Sequence, residues 1–189
     1  MQSEELYYDH YKDSFEQQKN YLETRDKLTL YLIVLVALIL LLSNNRSMLV
    51  DVSDAWQKMN IGKPVVDFNI ISTSLYFVFM WFSLRYYQVN LTIERGYSYL
   101  ERCEQKLSTK GIFSIDREGG NYGKNYPWLK WLAHRIYVFV FPLLVIFTAV
   151  ASICHECCNE HSYRSLNIVF LLLVVLLSIL YLVDRILGK

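Results

Sequence analysis

Four long apolar runs dominate this chain and restrict it to folds that cross a membrane. The first, residues 28–42, contains no charged residue. Roughly 20 apolar residues in a helix cross the hydrocarbon core of a bilayer, which is about 30 Å thick. Only 3 Pro and 7 Gly occur among 189 residues, which favours long helices joined by few turns. We therefore predict an all-α, polytopic membrane protein with four transmembrane helices, at residues 28–48, 65–87, 136–153 and 166–184.

The distribution of basic residues predicts the orientation of these helices. Nine of the 19 Lys and Arg residues lie in the central segment 85–135, and basic residues next to spans are retained on the cytoplasmic face. With this segment inside, fifteen basic residues fall on the cytoplasmic side and four on the outer side. We predict outer loops at 49–64 and 154–165 and cytoplasmic termini, including the tail 185–189. A signal peptide does not fit, because 27 residues with 7 acids precede the first run.

The N-terminal segment 1–27 has the pattern of an amphipathic helix. Tyr8, Tyr11, Phe15 and Leu22 recur at helical spacing, with charged residues between them. The segment holds seven acids against four basic residues, so anionic lipid would repel it. A protein surface is therefore the favoured partner of this helix.

The second span is predicted to continue as a helix into the cytoplasm. Ile93, Tyr97 and Leu100 share one face of this extension, whereas Glu94 and Glu101 fall on the opposite face. The extension runs antiparallel to the N-terminal helix, so the two stripes would be buried against each other or against a neighbouring subunit. The alternative is a charged helix surrounded by water, and the regularity of the stripe argues against it.

The remainder of the cytoplasmic segment 88–135 is predicted to be an interfacial loop rich in glycine. Two interpretations stay open. Backbone amides next to Arg117, Glu118 and Lys124 could form a small ligand or phosphate site. Alternatively, the loop is a turn laid on the lipid headgroups and fixed by the tryptophans that follow it. We favour the turn, because the glycine spacing of phosphate-binding and dinucleotide-binding loops is absent.

Cysteine and histidine residues cluster beyond the third span, at Cys154, His155, Cys157, Cys158 and His161. Three interpretations stay open: residues of a short hairpin loop, a disulfide in an oxidising compartment, or a site for a divalent soft metal. The spacing matches no established zinc pattern. We favour the hairpin loop, and we predict neither a metal nor another cofactor.

Several functional classes are disfavoured by what the sequence contains. No ionisable residue falls at mid-depth in the four predicted spans, which argues against a coupled transporter. The nucleophile-elbow and zinc-protease motifs are missing, so we do not expect an enzyme. A net charge of +1 gives no reason to expect direct nucleic-acid binding. Pro142 is expected to kink the third span.

The order of segments also supports a resemblance. A short acidic helix and two spans are followed by a long basic helical segment ending in Asp-Arg-Glu-Gly-Gly-Asn-Tyr-Gly-Lys-Asn-Tyr-Pro, residues 116–127, and then by two more spans. In this outline the chain resembles small four-helix membrane proteins of bacterial anti-phage loci, namely the membrane accessory protein of type VI-B CRISPR loci and the membrane subunit of the Kiwa system. The resemblance covers the whole chain and carries over no functional residue. It implies a bacterial inner-membrane protein that perturbs the membrane or anchors a soluble partner during infection.

Two functional hypotheses follow. In the first, the protein is a homo-oligomeric membrane effector or channel, gated through its cytoplasmic helices. In the second, it is a passive scaffold that recruits a soluble cytoplasmic defence protein to residues 1–27 or 85–125. We favour the effector, because the helical extension offers a large surface for self-association.

Overall fold

A computed structural model describes residues 2–44, 68–109, 128–158 and 163–187 of the chain. These residues are all-helical apart from a turn at Tyr163, and they contain no strand, which confirms the all-α prediction for this part of the chain. The elements are α1 (Gln2–Asn44), α2 (Phe68–Thr109), α3 (Trp128–Arg135), a π-helical turn (Ile136–Val140), α4 (Phe141–Cys158) and α5 (Arg164–Leu187).

Helices α1 and α2 are each about twice as long as the hydrocarbon core of a bilayer is thick. No Pro or Gly interrupts α1, and Gly96 alone interrupts the pattern of α2. At about 1.5 Å per residue, the 43 residues of α1 extend about 65 Å. Each helix is apolar in one half and charged in the other. The sequence predicts a boundary between the N-terminal helix and the first span at residues 27 and 28. In the structure, one unbroken helix runs through this boundary.

Three helices are long and apolar enough to cross a membrane: Leu6–Ser43, Leu132–Cys158 and Arg164–Leu187. Their outward faces expose large apolar side chains such as Val34, Phe147 and Leu176. Extended apolar surface of this kind is costly in water but suits lipid. The prediction of a membrane protein with transmembrane helices is confirmed at this level.

The four long helices form a bundle in which the chain runs up, down, up and down. Helices α1 and α2 are antiparallel, since Tyr31 contacts Phe82 near one end and Tyr11 contacts Glu104 near the other. Helices α4 and α5 are also antiparallel. Helix α2 runs alongside both α1 and α5, so its apolar stretch, residues 68–87, lies within the bundle.

The interior of the bundle is filled by apolar side chains and a few small hydroxyl residues. Leu32, Phe79 and Leu171 are fully buried in the core. Ser83 and Thr148 are also buried, and each hydroxyl donates to a carbonyl of its own helix four residues earlier. Small hydroxyl residues let helices approach closely without leaving a polar group unsatisfied.

Candidate functional site

The charged halves of α1 and α2 pack against each other, and we call residues 6–27 and 88–106 the polar helix pair. Its own small core joins Tyr11 of α1 to Leu100 of α2, with Phe15 and Cys103 packed against them. Tyr11 is 7% exposed and Leu100 is 2% exposed, although both lie on otherwise charged helices. The helix pair therefore buries its apolar stripe within one chain.

Hydrogen bonds across the polar helix pair fix its register. The Gln18 side-chain amide donates to the backbone carbonyl of Ile93 at 2.6 Å, and the Tyr11 hydroxyl donates to Glu104 Oε1 at 2.8 Å. All four groups lie in the buried interface, where such bonds are worth more than at a surface. The register of α1 on α2 is thus specified by polar as well as apolar contacts.

A third polar contact lies at the edge of the pair. His10 Nε2 and the Tyr99 hydroxyl are 2.6 Å apart. A hydrogen bond with Cys103, with a smaller contribution from desolvation, raises the pKa of Tyr99 above its ordinary value.

Gly96 lies directly against the side chain of Gln18 on α1. A methyl group at this position would overlap the side-chain amide of Gln18. Gln18 is 5% exposed and is held by its bond to the Ile93 carbonyl, so it cannot move aside without losing that bond. The absence of a side chain at Gly96 permits the close approach.

The predicted stripe residues are distributed unevenly in the structure. Ile93 is buried in the main core, with Leu22 and Tyr97 packed against it. Tyr8, in contrast, is 48% exposed and belongs to neither core. The buried part of the interface therefore begins at Tyr11, and the contact of His10 with Tyr99 lies at its exposed edge.

A π-helical turn marks the junction between the polar helix pair and the bundle. The Phe141 N–H donates to the Ile136 carbonyl, five residues earlier, instead of the usual four. Pro142 has no N–H to donate, so the Tyr137 carbonyl receives neither of its possible helical donors. The hydroxyl of Tyr86, a residue with no exposed surface, donates to that carbonyl at 2.7 Å. A side chain of α2 thus completes the backbone bonding of the third long helix.

Aromatic and charged residues surround this junction. The Tyr87 hydroxyl lies 2.7 Å from Ser178 Oγ, and the Tyr87 ring stacks on Tyr181 with centroids 4.7 Å apart. The Arg25 guanidinium lies 4.2 Å from the centroid of the Tyr137 ring. All four long helices therefore meet in one layer at the base of the polar helix pair.

An ion pair ties the polar helix pair to the last helix. Arg185, near the end of α5, contacts Glu94 of α2 with two nitrogens. The Arg185 side chain is 13% exposed and the Glu94 side chain is 36% exposed, so the pair is partly shielded from solvent. The sequence places Glu94 on the polar face of its helix, and in the structure α5 lies against part of that face.

A second polar cluster lies at the other end of the bundle, which we call the distal end. Glu156 is 2% exposed. Its carboxylate accepts hydrogen bonds from the Tyr76 hydroxyl at 3.4 Å and from Asn167 Nδ2 at 3.1 Å. Sequence reasoning missed this site, because it assigned Glu156 to a loop. The available signal was the four-residue spacing of Thr148, Ser152 and Glu156, which places three polar groups on one helix face.

The residues predicted for a loop site or a metal site are only partly described by the structure. Arg117, Glu118, Lys124 and His161 lie outside the described residues. Helix α4 extends through Cys154, His155, Cys157 and Cys158, and all four cysteines of the chain, Cys103 included, are free thiols. In the part of the chain that the structure describes, no three His, Cys, Asp or Glu side chains lie close enough to hold a metal ion.

Comparison with known proteins gives no relative: no protein family, no characterised protein and no solved structure matches this chain. The chemistry of its own residues is therefore the basis on which a function can be assigned.

Proposed function

We propose that this protein is a four-span effector of the bacterial inner membrane, engaged through its polar helix pair and acting in anti-phage defence as a channel-like homo-oligomer. The observation that carries the proposal is the continuity of α1 and α2, which run without a break from the polar helix pair into the bundle. A partner or ligand that moves the pair would therefore move two helices of the membrane part. The link to defence rests on the resemblance in segment order.

Contact within the polar helix pair supports α2 as the fourth span. Residues 6–27 and 88–106 pack together, so they lie on the same side of the membrane. Helix α1 is apolar enough to cross. If α1 leaves that side through its apolar half, then the chain has to return through the apolar stretch of α2. The excess of basic residues next to this side supports a cytoplasmic location for the pair and for both termini.

The junction supports mechanical coupling between the pair and the remaining spans. The ion pair of Glu94 with Arg185 links α2 to α5, and the Tyr86 hydroxyl links α2 to the π-helical turn before α4. Packed helices with few alternative arrangements transmit displacements as rigid bodies. Movement at the polar helix pair would thus reach all four spans.

Oligomerisation is part of the proposal because one bundle leaves no room for a wide pore. Its axis is occupied by buried side chains, among them Phe79, Val145 and Leu171. A conducting path would therefore lie between subunits, and the apolar outward faces of the spans offer surface for such contacts.

The scaffold hypothesis retains one supporting observation. Leu6 is 71% exposed and Tyr7 and Tyr8 are 47% and 48% exposed, so the tip of the polar helix pair presents apolar side chains to solvent. Aromatic residues of this kind are enriched where proteins bind partners. A soluble defence protein docked at this tip is the alternative function.

Dye release from liposomes tests the effector proposal. The parent protein is expected to be silent, because the closed pair holds α1 and α2 together. The variant Tyr11→Ala with Leu100→Ala loosens the pair and is expected to raise the rate of dye release at least several-fold. The matched control is Leu6→Ala with Tyr8→Ala, which removes the same two residue types from exposed positions and should remain silent.

Silence of all three proteins, with insertion verified by carbonate extraction, would contradict the effector proposal. In that case the scaffold hypothesis predicts that the exposed residues, and not the buried ones, matter in cells. Loss of Leu6 and Tyr8 would abolish capture of the soluble partner by crosslinking.

A further inference from the structure

A pocket of about 390 Å³ opens on the polar helix pair, between α1 and α2. Gln18 and Leu100 line it and are both buried, so the pocket reaches into the contact between the two helices. Small-molecule sites are concave and usually measure about 300–1,000 Å³. The pocket therefore has the size of a ligand site, and neither functional hypothesis uses it.

Aromatic and amide side chains form walls of this pocket. Tyr21 of α1 and Tyr99 of α2 line it, and tyrosine rings pack well against other rings. Gln17 also lines the pocket, and its amide nitrogen lies 3.4 Å from the Tyr21 hydroxyl. Hydrogen bonds of this type are usually about 2.7–3.2 Å long, so the amide is free to offer a donor and an acceptor to a ligand. An aromatic ring with polar edges fits these walls.

Arg95 brings a positive charge to the same pocket. Its side chain is exposed, and within the described residues its guanidinium has no hydrogen bond and no ion pair. Guanidinium groups bind phosphate and carboxylate oxygens through paired N–H donors. The charge of Arg95 is therefore available to an anionic ligand.

A smaller pocket of about 140 Å³ adjoins the first. The two pockets share His10 and Tyr99, whose side chains are 2.6 Å apart. Arg102 and Lys106 line the smaller pocket. Basic side chains are therefore present on both sides of the contact between His10 and Tyr99.

The arginines of both pockets belong to one face of α2. Arg95, Tyr99 and Arg102 follow each other at intervals of four and three residues, which places them on one helix face. The Arg102 Nε atom donates to the Ser98 carbonyl at 3.1 Å, so its guanidinium is held back toward Tyr99. No acidic side chain among the described residues lines either pocket. The lining thus carries positive charge that it does not itself neutralise.

We propose that the two pockets together bind a small organic phosphate that carries an aromatic ring, of the size of a nucleoside monophosphate. The ring packs against Tyr21 and Tyr99, and the phosphate is held by Arg95 and Arg102. A phosphate monoester carries about 1.5–2 negative charges at neutral pH, which matches two guanidinium groups better than the single charge of a carboxylate. Binding does not depend on whether the spans conduct, so the site is tested separately from the effector proposal.

Equilibrium binding of radiolabelled adenosine monophosphate to the full-length protein tests the site. The protein is held in nanodiscs of phosphatidylcholine, and empty nanodiscs give the background. We expect saturable binding of one molecule per chain. Unlabelled adenosine lacks the phosphate, whereas inorganic phosphate and glycerol phosphate, the soluble counterpart of a lipid phosphate, lack the ring. Each of the three should compete at least about ten-fold more weakly than adenosine monophosphate.

Two arginine variants and a matched control locate the bound molecule. Arg95→Gln is expected to weaken binding at least about ten-fold. Its Tm without ligand should equal that of the parent protein, because the Arg95 side chain is exposed. Arg102→Gln should weaken binding at least about three-fold. Arg85→Gln changes an exposed arginine of the same helix that lines neither pocket, and it should bind as the parent protein does.

The absence of saturable binding would overturn the proposal, and so would equal affinities of the parent protein and Arg95→Gln. Competition by adenosine as strong as that by adenosine monophosphate would show that the phosphate is not recognised. Equally strong competition by inorganic phosphate or glycerol phosphate would show that an anion alone fills the site, which would also contradict the proposal.

Discussion

Replacing Tyr11 and Leu100 together by alanine is expected to separate the polar helix pair while the spans stay inserted. Both side chains are buried in the small core of the pair, and Tyr11 also donates to Glu104. A buried Leu→Ala change alone costs about 2–5 kcal/mol. The spans are held independently by lipid and by packing within the bundle. Local stability should therefore fall in residues 6–27 and 88–106.

Amide hydrogen exchange in nanodiscs measures this loss. A loss of about 2 kcal/mol or more corresponds to exchange at least about 30-fold faster in the polar helix pair. The exposed control pair, Leu6→Ala with Tyr8→Ala, should exchange within a factor of a few of the parent. If both double variants exchange alike, the packing of Tyr11 on Leu100 does not hold the two helices together.

The second large effect is expected at the π-helical turn. Tyr86→Phe removes the hydroxyl that donates to the Tyr137 carbonyl but keeps the ring. That carbonyl then has no helical donor, because Phe141 bonds to Ile136 and Pro142 has no N–H. A buried acceptor without a donor costs about 1–3 kcal/mol, and the lower end of this range suits the part-buried Tyr137 carbonyl. The expected result is a drop in Tm of several degrees for the protein in nanodiscs.

Pro142→Ala provides the internal control for this explanation. The alanine restores a backbone N–H within reach of the carbonyls that Pro142 leaves without a donor. Tyr86→Phe should therefore lower Tm by less in the Pro142→Ala background than in the parent chain. An equal drop in both backgrounds would show that the Tyr86 hydroxyl matters for another reason.

Hydrophobic periodicity predicted those features that depend on one helix at a time. Four long helices follow from apolar runs and from the scarcity of Pro and Gly. Tyr11 belongs to the apolar stripe of α1, and Ile93 and Leu100 belong to that of α2. The structure buries all three residues. Tyr8 has the same spacing but is exposed. Periodicity shows which face of a helix is apolar, but it does not show how far along the helix a partner extends.

Contacts between residues distant in sequence could not be predicted in this way. Glu156 contacts Tyr76, 80 residues away, and Arg185 contacts Glu94, 91 residues away. Both depend on which helix lies next to which, and the pattern of one helix contains no such information. Glu94 is an example: the sequence places it on a charged helix face, but in the structure it pairs with Arg185 of α5. The bond from Tyr86 to a backbone carbonyl likewise needs the bundle to be known first.

The native cysteines allow the most direct test of the membrane arrangement. Cys103 lies on the polar helix pair, whereas Cys154, Cys157 and Cys158 lie exposed at the distal end. Intact spheroplasts are treated with a membrane-impermeant reductant and then with a membrane-impermeant maleimide, and the labelled peptides are identified by mass spectrometry. We expect label on the three distal cysteines, with Cys103 labelled only after the membrane is permeabilised. Labelling of Cys103 in intact spheroplasts at the rate of the distal cysteines would contradict a cytoplasmic polar helix pair.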